Sequence, residues 1–355
     1  MRLKNCVKIN EKTTLIPQES MISFNFNTCN SYLIKINPNE FAIIDPGISK
    51  KQLKEALKIN KVDVSDLKYI YLTHSHSDHL ALIDYLKSVN PEIRTLIHSF
   101  EVNFIESVKD YFNLLFDLSL LQQNQKYRDF LAAIQFNITK DPKIKVNKSL
   151  QMIFDIWNIK PRTIDKRFED GDHLEGDLRV IHVPGHSPGM CFFLDESNNT
   201  LFSSDIHLSR LGANISGNLT NVSDLKDSII FAKELVKKKD IHMILSGHGT
   251  NPITDNLIIR LKQFYSSILR KENQILTLLK QNGKLSLTQI TNITFKKNKE
   301  RFQKYLVNQP FFQDSIIIAE ASELISNRNL LRELERLKKI KSVEQNSELW
   351  WILKK

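Results

Sequence analysis

The chain has 355 residues, 41% of them hydrophobic and 25% charged, with three cysteines and a formal net charge of +10. That length exceeds a typical single domain, and the balance of residues is that of an ordinary globular protein. Cys6, Cys29 and Cys191 are odd in number and scattered, which excludes a disulfide framework; without a leader-like N-terminus or an 18-residue apolar stretch, a cytoplasmic protein with no membrane partner is expected.

The charge is unevenly placed. Residues 260–355 carry 19 Lys+Arg against 9 Asp+Glu, while residues 1–259 carry 31 of each. An excess confined to one end suits nucleic acid or an acidic surface, and it also suits plain solvated helices.

In chain order, the first hundred residues read as strands with one early helix. Residues 30–36 form a strand, residues 41–44 form another that empties into Asp45-Pro46-Gly47, and residues 50–59 have the spacing of an amphipathic helix. The apolar run 69–72 leads into Thr73-His74-Ser75-His76-Ser77-Asp78-His79, after which residues 80–86 resume helical spacing. His79 should therefore lie near a helix N-terminus. Three of the ten histidines fall within these six positions from His74. One strand face cannot bury three adjacent imidazoles, whereas neutral imidazole and carboxylate are ligands for a divalent metal.

Residues 100–165 break the strand pattern. Phe104, Val108, Phe112, Leu115, Phe130, Ile134, Ile153 and Trp157 recur at helical intervals, which predicts a helical insertion. Three later apolar runs empty into loops that carry further ligand types: Gly185-His186-Ser187-Pro188-Gly189, then Asp205, then Gly247-His248-Gly249. One His-x-His-x-Asp-His segment cannot saturate two metals, so strand ends converging at one edge of a sandwich would supply the rest. Other histidines read differently: His182 and His242 as packed or edge residues, His98 as a surface residue rather than part of the site mouth, and His173 as a turn residue. His207 is close enough to Asp205 to support a ligand but is not assigned that role.

The last third predicts a long helix over 257–279 ended by Asn282-Gly283, then a short helix capped by Ser286 or Thr288. Residues 302–307 and a long helix over 316–337 follow. The chain closes on a hairpin through 343–353, with Gln345-Asn346-Ser347 as its polar turn. Three helices and a hairpin are the order of a winged helix.

Taken together, Asp45, then His74, His76, Asp78 and His79, then His186, Asp205 and His248 resemble the metallo-β-lactamase superfamily over about residues 20–252. The resemblance implies an α+β fold, an αββα sandwich over residues 1–259 with the helical insertion at 100–165, and a small winged-helix-like C-terminal domain over 260–355. It implies one metal on His74, His76 and His186, a second on Asp78, His79 and His248, and Asp205 bridging both. Zinc is the expected metal, with iron or manganese suiting the same donors. Asp45 would orient the histidine loop. An aspartate bridge resembles the glyoxalase II and nuclease branches, whereas antibiotic-destroying members commonly carry cysteine there; Cys191 is read as a core residue. In this family the insertion lies over the site mouth, so a lid or pocket wall for an acyl or ring-bearing group is implied, with a homodimer contact as the alternative. Residues 269–276 partly resemble the start of the C-terminal domain in members that end in a winged helix.

Two divalent ions about 3.5–4 Å apart depress the pKa of a shared water toward about 7, and the bridging hydroxide would attack a carbonyl or phosphoryl centre. Asp78, as the catalytic residue, would hold the second metal and aim that hydroxide. The expected function is hydrolysis of a small-molecule thioester or ester. The alternative is a metal-dependent endoribonuclease acting on single-stranded RNA, with the basic C-terminal domain guiding the strand. No Gly-x-Ser-x-Gly elbow, P-loop or dinucleotide fingerprint is present to support serine, nucleotide or redox chemistry.

Overall fold

The computed structural model describes residues 6–19, 28–306, 312–345 and 348–354. Val307 and the turn residues Asn346 and Ser347 lie outside the described residues. The first sheet takes its seven strands in chain order: β1 (Val7–Lys8), β2 (Thr13–Glu19), β3 (Thr28–Asn37), β4 (Glu40–Ile44), β5 (Leu67–Tyr71), β6 (Arg94–His98) and β7 (Lys166–Phe168). Pairing is antiparallel from β1 to β4 and parallel from β4 to β7. The second sheet contains β8 (His173–Leu174), β9 (Leu178–His182), β10 (Cys191–Asp195), β11 (Thr200–Phe202) and β12 (Met243–Leu245), with β12 beside β11 at one edge and β8 at the other.

Strand periodicity builds the layers. Successive side chains point to opposite faces of a sheet, and here the central strands are apolar on both. Tyr32, Ile34, Ala42 and Ile44 of the first sheet meet Val180, Cys191, Phe193, Phe202 and Leu245 of the second in a shared core. Their neighbours Leu33 and Ile43 face outward onto Leu53 and Leu57 of α1 (Lys50–Ile59), together with residues of the short helices α2 (Ser77–Leu80) and α3 (Ile83–Val89). On the far side, Ile181, Phe192, Leu194, Leu201 and Ile244 pack against helices. The result is the expected αββα arrangement. The predicted helix over 80–86 is broken at Ala81–Leu82, so α2 and α3 are separate.

The insertion falls between β6 and β7 as α4 (Val102–Glu106), α5 (Val108–Leu115), α6 (Leu118–Gln122), α7 (Arg128–Thr139) and α8 (Lys148–Trp157). Its aromatic residues Phe112, Phe116, Phe130 and Phe154 are at most 3% exposed. They interlock with one another, for example Phe116 on Phe130 at 5.0 Å between centroids. These rings join the core shared with the second sheet and the C-terminal helices.

After β11 come α9 (Val222–Lys238), then β12, then α10 (Leu257–Asn282), which ends at Gly283 as expected and runs across position 259/260. Leu261, Phe264 and Ile268 of α10 share the core of Phe192, Leu201 and Ile229. A strand that the sequence pattern does not predict, β13 (Lys284–Ser286), precedes α11 (Leu287–Leu306) and α12 (Phe312–Arg336). Ser286 does cap α11: its hydroxyl accepts from the Gln289 amide while Gln289 Oε1 accepts from the Ser286 amide. That helix is 20 residues long, not short. The hairpin β14 (Ile340–Gln345) and β15 (Glu348–Leu353) pairs with β13, so the C-terminal region is three helices and a three-stranded sheet. No described helix is long and apolar enough to cross a membrane.

Candidate metal centre

Five of the strands end at one edge, and each hands its chain to a loop with a polar side chain aimed at one place. β4 delivers Asp45, β5 the segment from Thr73 to His79, β9 His186, β11 Asp205 and β12 His248. The structure brings all seven expected ligands together. Ligand atoms of His74, His76, His186 and Asp205 lie within 4.8 Å of one another, and so do those of Asp78, His79 and His248.

His76 Nδ1 sits 3.0 Å from His74 Nε2 and 3.0 Å from His186 Nε2. The two oxygens of Asp205 divide between the clusters: Oδ2 is 3.2 Å from His186 Nε2, while Oδ1 is 3.2 Å from His79 Nε2 and 3.3 Å from His248 Nε2. Asp78 Oδ2 lies 3.4 Å from His248 Nε2. His76 and Asp78 are the partly exposed members, so the centre opens on their side.

The opposite ring nitrogens are tethered, which aims the lone pairs inward. His79 Nδ1 bonds Asp45 Oδ2 at 2.9 Å, and His186 Nδ1 faces the Asn214 carbonyl at 3.4 Å. His74 Nδ1 faces the hydroxyl of Thr73 at 3.0 Å. A carboxylate or carbonyl can only accept, so the protons of His79 and His186 are assigned to Nδ1 and their Nε2 lone pairs converge on the centre. Three imidazole nitrogens and a carboxylate at such spacing repel one another unless protons or a cation lie between them. A divalent cation in each cluster does satisfy them, and the His/Asp donor set is one such ions accept.

The protonation balance agrees. Burial drives His74 well below the usual histidine range and His76 down to about 3, with the charge of His186 adding to the latter. Burial also opposes the charged forms of His79 and His248, but Asp45 and Asp205 respectively, with their acidic neighbours, outweigh it and raise both. Burial works against ionised Asp205 as well, yet the charges of His248 and His186 hold it well below the carboxylate range. Carboxylates that draw protons onto neighbouring imidazoles also draw cations, and metal uptake would release those protons.

Asp45 occupies the left-handed region at φ 50°, a conformation Asp tolerates better than most residues. From there its carboxylate also accepts from Thr73 N and Thr73 Oγ1, each at 2.8 Å. Gly247 is required by crowding, since a Cβ there would lie 2.7 Å from His79 Cε1 and 3.1 Å from Asp205 Oδ1.

Two supports escape a reading of the sequence. Glu101, fully buried just past β6, accepts from the Ser75 amide at 3.0 Å, from the Ser75 hydroxyl, and from the Gly189 amide at 2.7 Å. It stitches the histidine segment to the His186 loop, and no motif marks it. The second is the loop 213–220 beside His186. His98 corrects the surface reading: it is 2% exposed and stacks on His182 at 4.3 Å. His173 opens β8 rather than lying in the turn, His242 is exposed before β12, and Cys191 is in the core. His207 is buried with its ring 5.0 Å from Phe264, outside both clusters.

A family model described as the metallo-beta-lactamase superfamily matches residues 25–248. An uncharacterized protein of Bacillus subtilis, YobT, is 27% identical over 62% of this chain and 82% of its own. An atrochrysone carboxyl ACP thioesterase of Pseudocercospora fijiensis is 26% identical over 45% of this chain and 47% of its own. The solved structure of a metallo-beta-lactamase family protein from Thermus thermophilus shares the fold with a TM-score of 0.64 and 17% identity, covering 98% of this chain and 100% of that one. With more than half its length matched in order through the clustered histidines, this chain belongs to the metallo-beta-lactamase superfamily.

Proposed function

We propose that the protein is a dinuclear metal-dependent hydrolase of a small-molecule thioester or ester. The observation that carries this reading is the pairing of the two ligand clusters through the two oxygens of Asp205. Bound there, two divalent ions would supply Lewis acidity and a nucleophile at neutral pH. His74, His76 and His186 would hold one ion; Asp78, His79 and His248 the other. Asp78, on the open side, is the residue that can both hold its ion and accept a hydrogen bond from the reacting group.

A narrow, mainly apolar recess lies beside the histidine segment. Ser77, between His76 and Asp78, forms part of its wall, with Leu80, Phe104, Ile105, Val108 and Trp157. Lys160 and Arg162 add positive charge to the same lining. The thioesterase relative supports the same bond type. The C-terminal region, read as a winged-helix-like flank, would then be a structural support, and its +10 charge the feature an RNA substrate would use.

The test is metal analysis of the purified protein together with turnover of thioesters, esters and short single-stranded RNAs, using His76→Ala as control. Two equivalents of metal and thioester or ester cleavage abolished by His76→Ala are expected. RNA cleavage whose affinity falls steeply with salt, without ester turnover, would move the reading to the endoribonuclease.

A further inference from the structure

Residues 213–218 form an irregular loop whose backbone groups are bonded by side chains from the C-terminal helices. Ser267 of α10 accepts from the Ala213 amide at 2.9 Å, and Lys271 donates to the Ala213 carbonyl at 3.1 Å. Asn329 of α12 donates to the carbonyls of Ile215 at 3.0 Å and Gly217 at 2.9 Å. Arg328 donates to the Asn218 carbonyl at 3.0 Å and to Asn218 Oδ1 at 2.8 Å, and pairs with Asp117 of the insertion. Arg328 is 6% exposed and Asn329 4%.

The same loop grips His186 from two directions. The Asn214 carbonyl faces the ring at Nδ1, and Thr220 Oγ1 donates to the His186 carbonyl at 2.9 Å. The Asn221 amide donates to the carbonyl of Gly185 at 2.9 Å. Gly185 itself has φ +127° and no room for a Cβ, which would fall 2.1 Å from the Leu225 amide nitrogen. The turn that carries His186 is thus bonded from outside at both its ring and its backbone.

We infer that the C-terminal helices are the positioning device for His186, with Arg328 and Asn329 as the residues that carry it. Burying a guanidinium and an amide against loop carbonyls is costly unless the donors are used, and Arg328 places four hydrogen bonds through Nη1 and Nη2, its buried Nε alone finding no partner among the described residues. Packing α12 onto the sandwich needs only apolar residues; bonding the carbonyls of Ile215, Gly217 and Asn218 fixes the path of their loop. The role rests on the metal-centre reading and assigns the C-terminal region a part in building one cluster, independent of any RNA.

Cobalt(II) titration of the full-length, metal-free protein tests it, followed by absorption spectrum and by competition with a chromogenic chelator. Arg328→Ala and Asn329→Ala are each expected to weaken one of the two cobalt equivalents by about 10-fold and to alter its absorption band, as removing a group that orients a ligand does. Leu334→Ala, a cavity in the buried face of α12, should lower Tm by several degrees with both equivalents intact. Wild-type cobalt binding that is unchanged in both variants overturns the inference and leaves the metal centre standing. Equal weakening by Leu334→Ala overturns it too, since the effect would then be general stability. If Arg328→Ala does not fold, Asn329→Ala decides alone. A wild-type chain that takes up no cobalt overturns the metal centre itself.

Discussion

The two halves of the centre are held by opposite means. His79 is oriented by Asp45, 34 positions earlier at the end of the neighbouring strand, and that one carboxylate also fixes Thr73 at the head of the histidine segment. His186 is oriented by a loop 28 residues later, whose own shape depends on side chains more than 100 residues further along. A local scaffold of one acid suffices where two parallel strands end side by side. The chain leaving β9 stays tied to β10 only as far as Val183, whose amide donates to the Met190 carbonyl at 2.8 Å, and the turn beyond it takes bonds from outside.

The largest effect that separates the halves should come from Asp45→Ala. It strips the buried His79 of its partner and removes two further bonds to Thr73. Breaking one side of a buried pair costs on the order of 3–5 kcal/mol. The expected outcome is a variant that retains the ion at His74, His76 and His186 and loses the other, read as one equivalent of metal instead of two. Loss of both together would erase the distinction between the halves.

Metal removal should have the next largest effect and should sharpen the contrast. Ions that bind only the folded state add about 2.7 kcal/mol at a hundredfold excess over their Kd. Chelation is therefore expected to lower Tm, and amide hydrogen exchange in the metal-free protein should rise more over 213–221 than over 73–79. The first segment lies in irregular structure; the second follows directly from β5 and is pinned by Asp45 and Glu101. Equal exchange in both would count against the comparison.

This contrast also explains what can be read from the sequence. The segment from His74 to His79 is dense because its scaffold is local, and the strand ends at Asp45, His186, Asp205 and His248 each show as an apolar run meeting a Gly, a Pro or an acid. Those signals are enough to gather all seven side chains. The two-sided apolar strands likewise announce a sandwich, and Asn282-Gly283 marks the end of α10. Glu101, Asn329 and Arg328 give no such signal, because a buried Glu in a turn and an Arg on an amphipathic helix look like surface charge until the fold brings a loop to them. The insertion is legible only in part for a related reason. Helical spacing shows that Phe112, Phe116, Phe130 and Phe154 share a face, but not whether substrate or another helix covers it. His98 reads as exposed because its covering partner, His182, is far along the chain.

Glu101→Gln should give a smaller effect, at the seam between the histidine segment and the His186 loop. The amide keeps the side chain's shape but presents a donor where either Ser75 or the Gly189 amide needs an acceptor. One unsatisfied buried group costs about 1–3 kcal/mol. The expected result is a Tm lower by several degrees and weakening chiefly of the ion at His74, His76 and His186, whose two loops Glu101 joins, measured by chelator competition. Weakening of the ion at Asp78, His79 and His248 alone would show that Glu101 does not act through that seam.

The smallest effect tests whether the remote support is specific. Lys126 of the insertion pairs with Glu320 of α12 at 2.6 Å, the side chains 34% and 19% exposed. Arg328 joins the same two regions through Asp117, but from a buried position. An exposed pair of this kind contributes at most about 1 kcal/mol, less in salt, and Lys126 spends its ammonium on Glu320 and on the ring of Tyr127 rather than on the loop beside His186. Lys126→Ala should therefore shift Tm slightly and leave both metal equivalents as they were. Were it to weaken the ion at His186 as much as Asn329→Ala, docking of α12 as a whole would be what shapes the loop, and the directional bonds from Arg328 and Asn329 would have no role of their own.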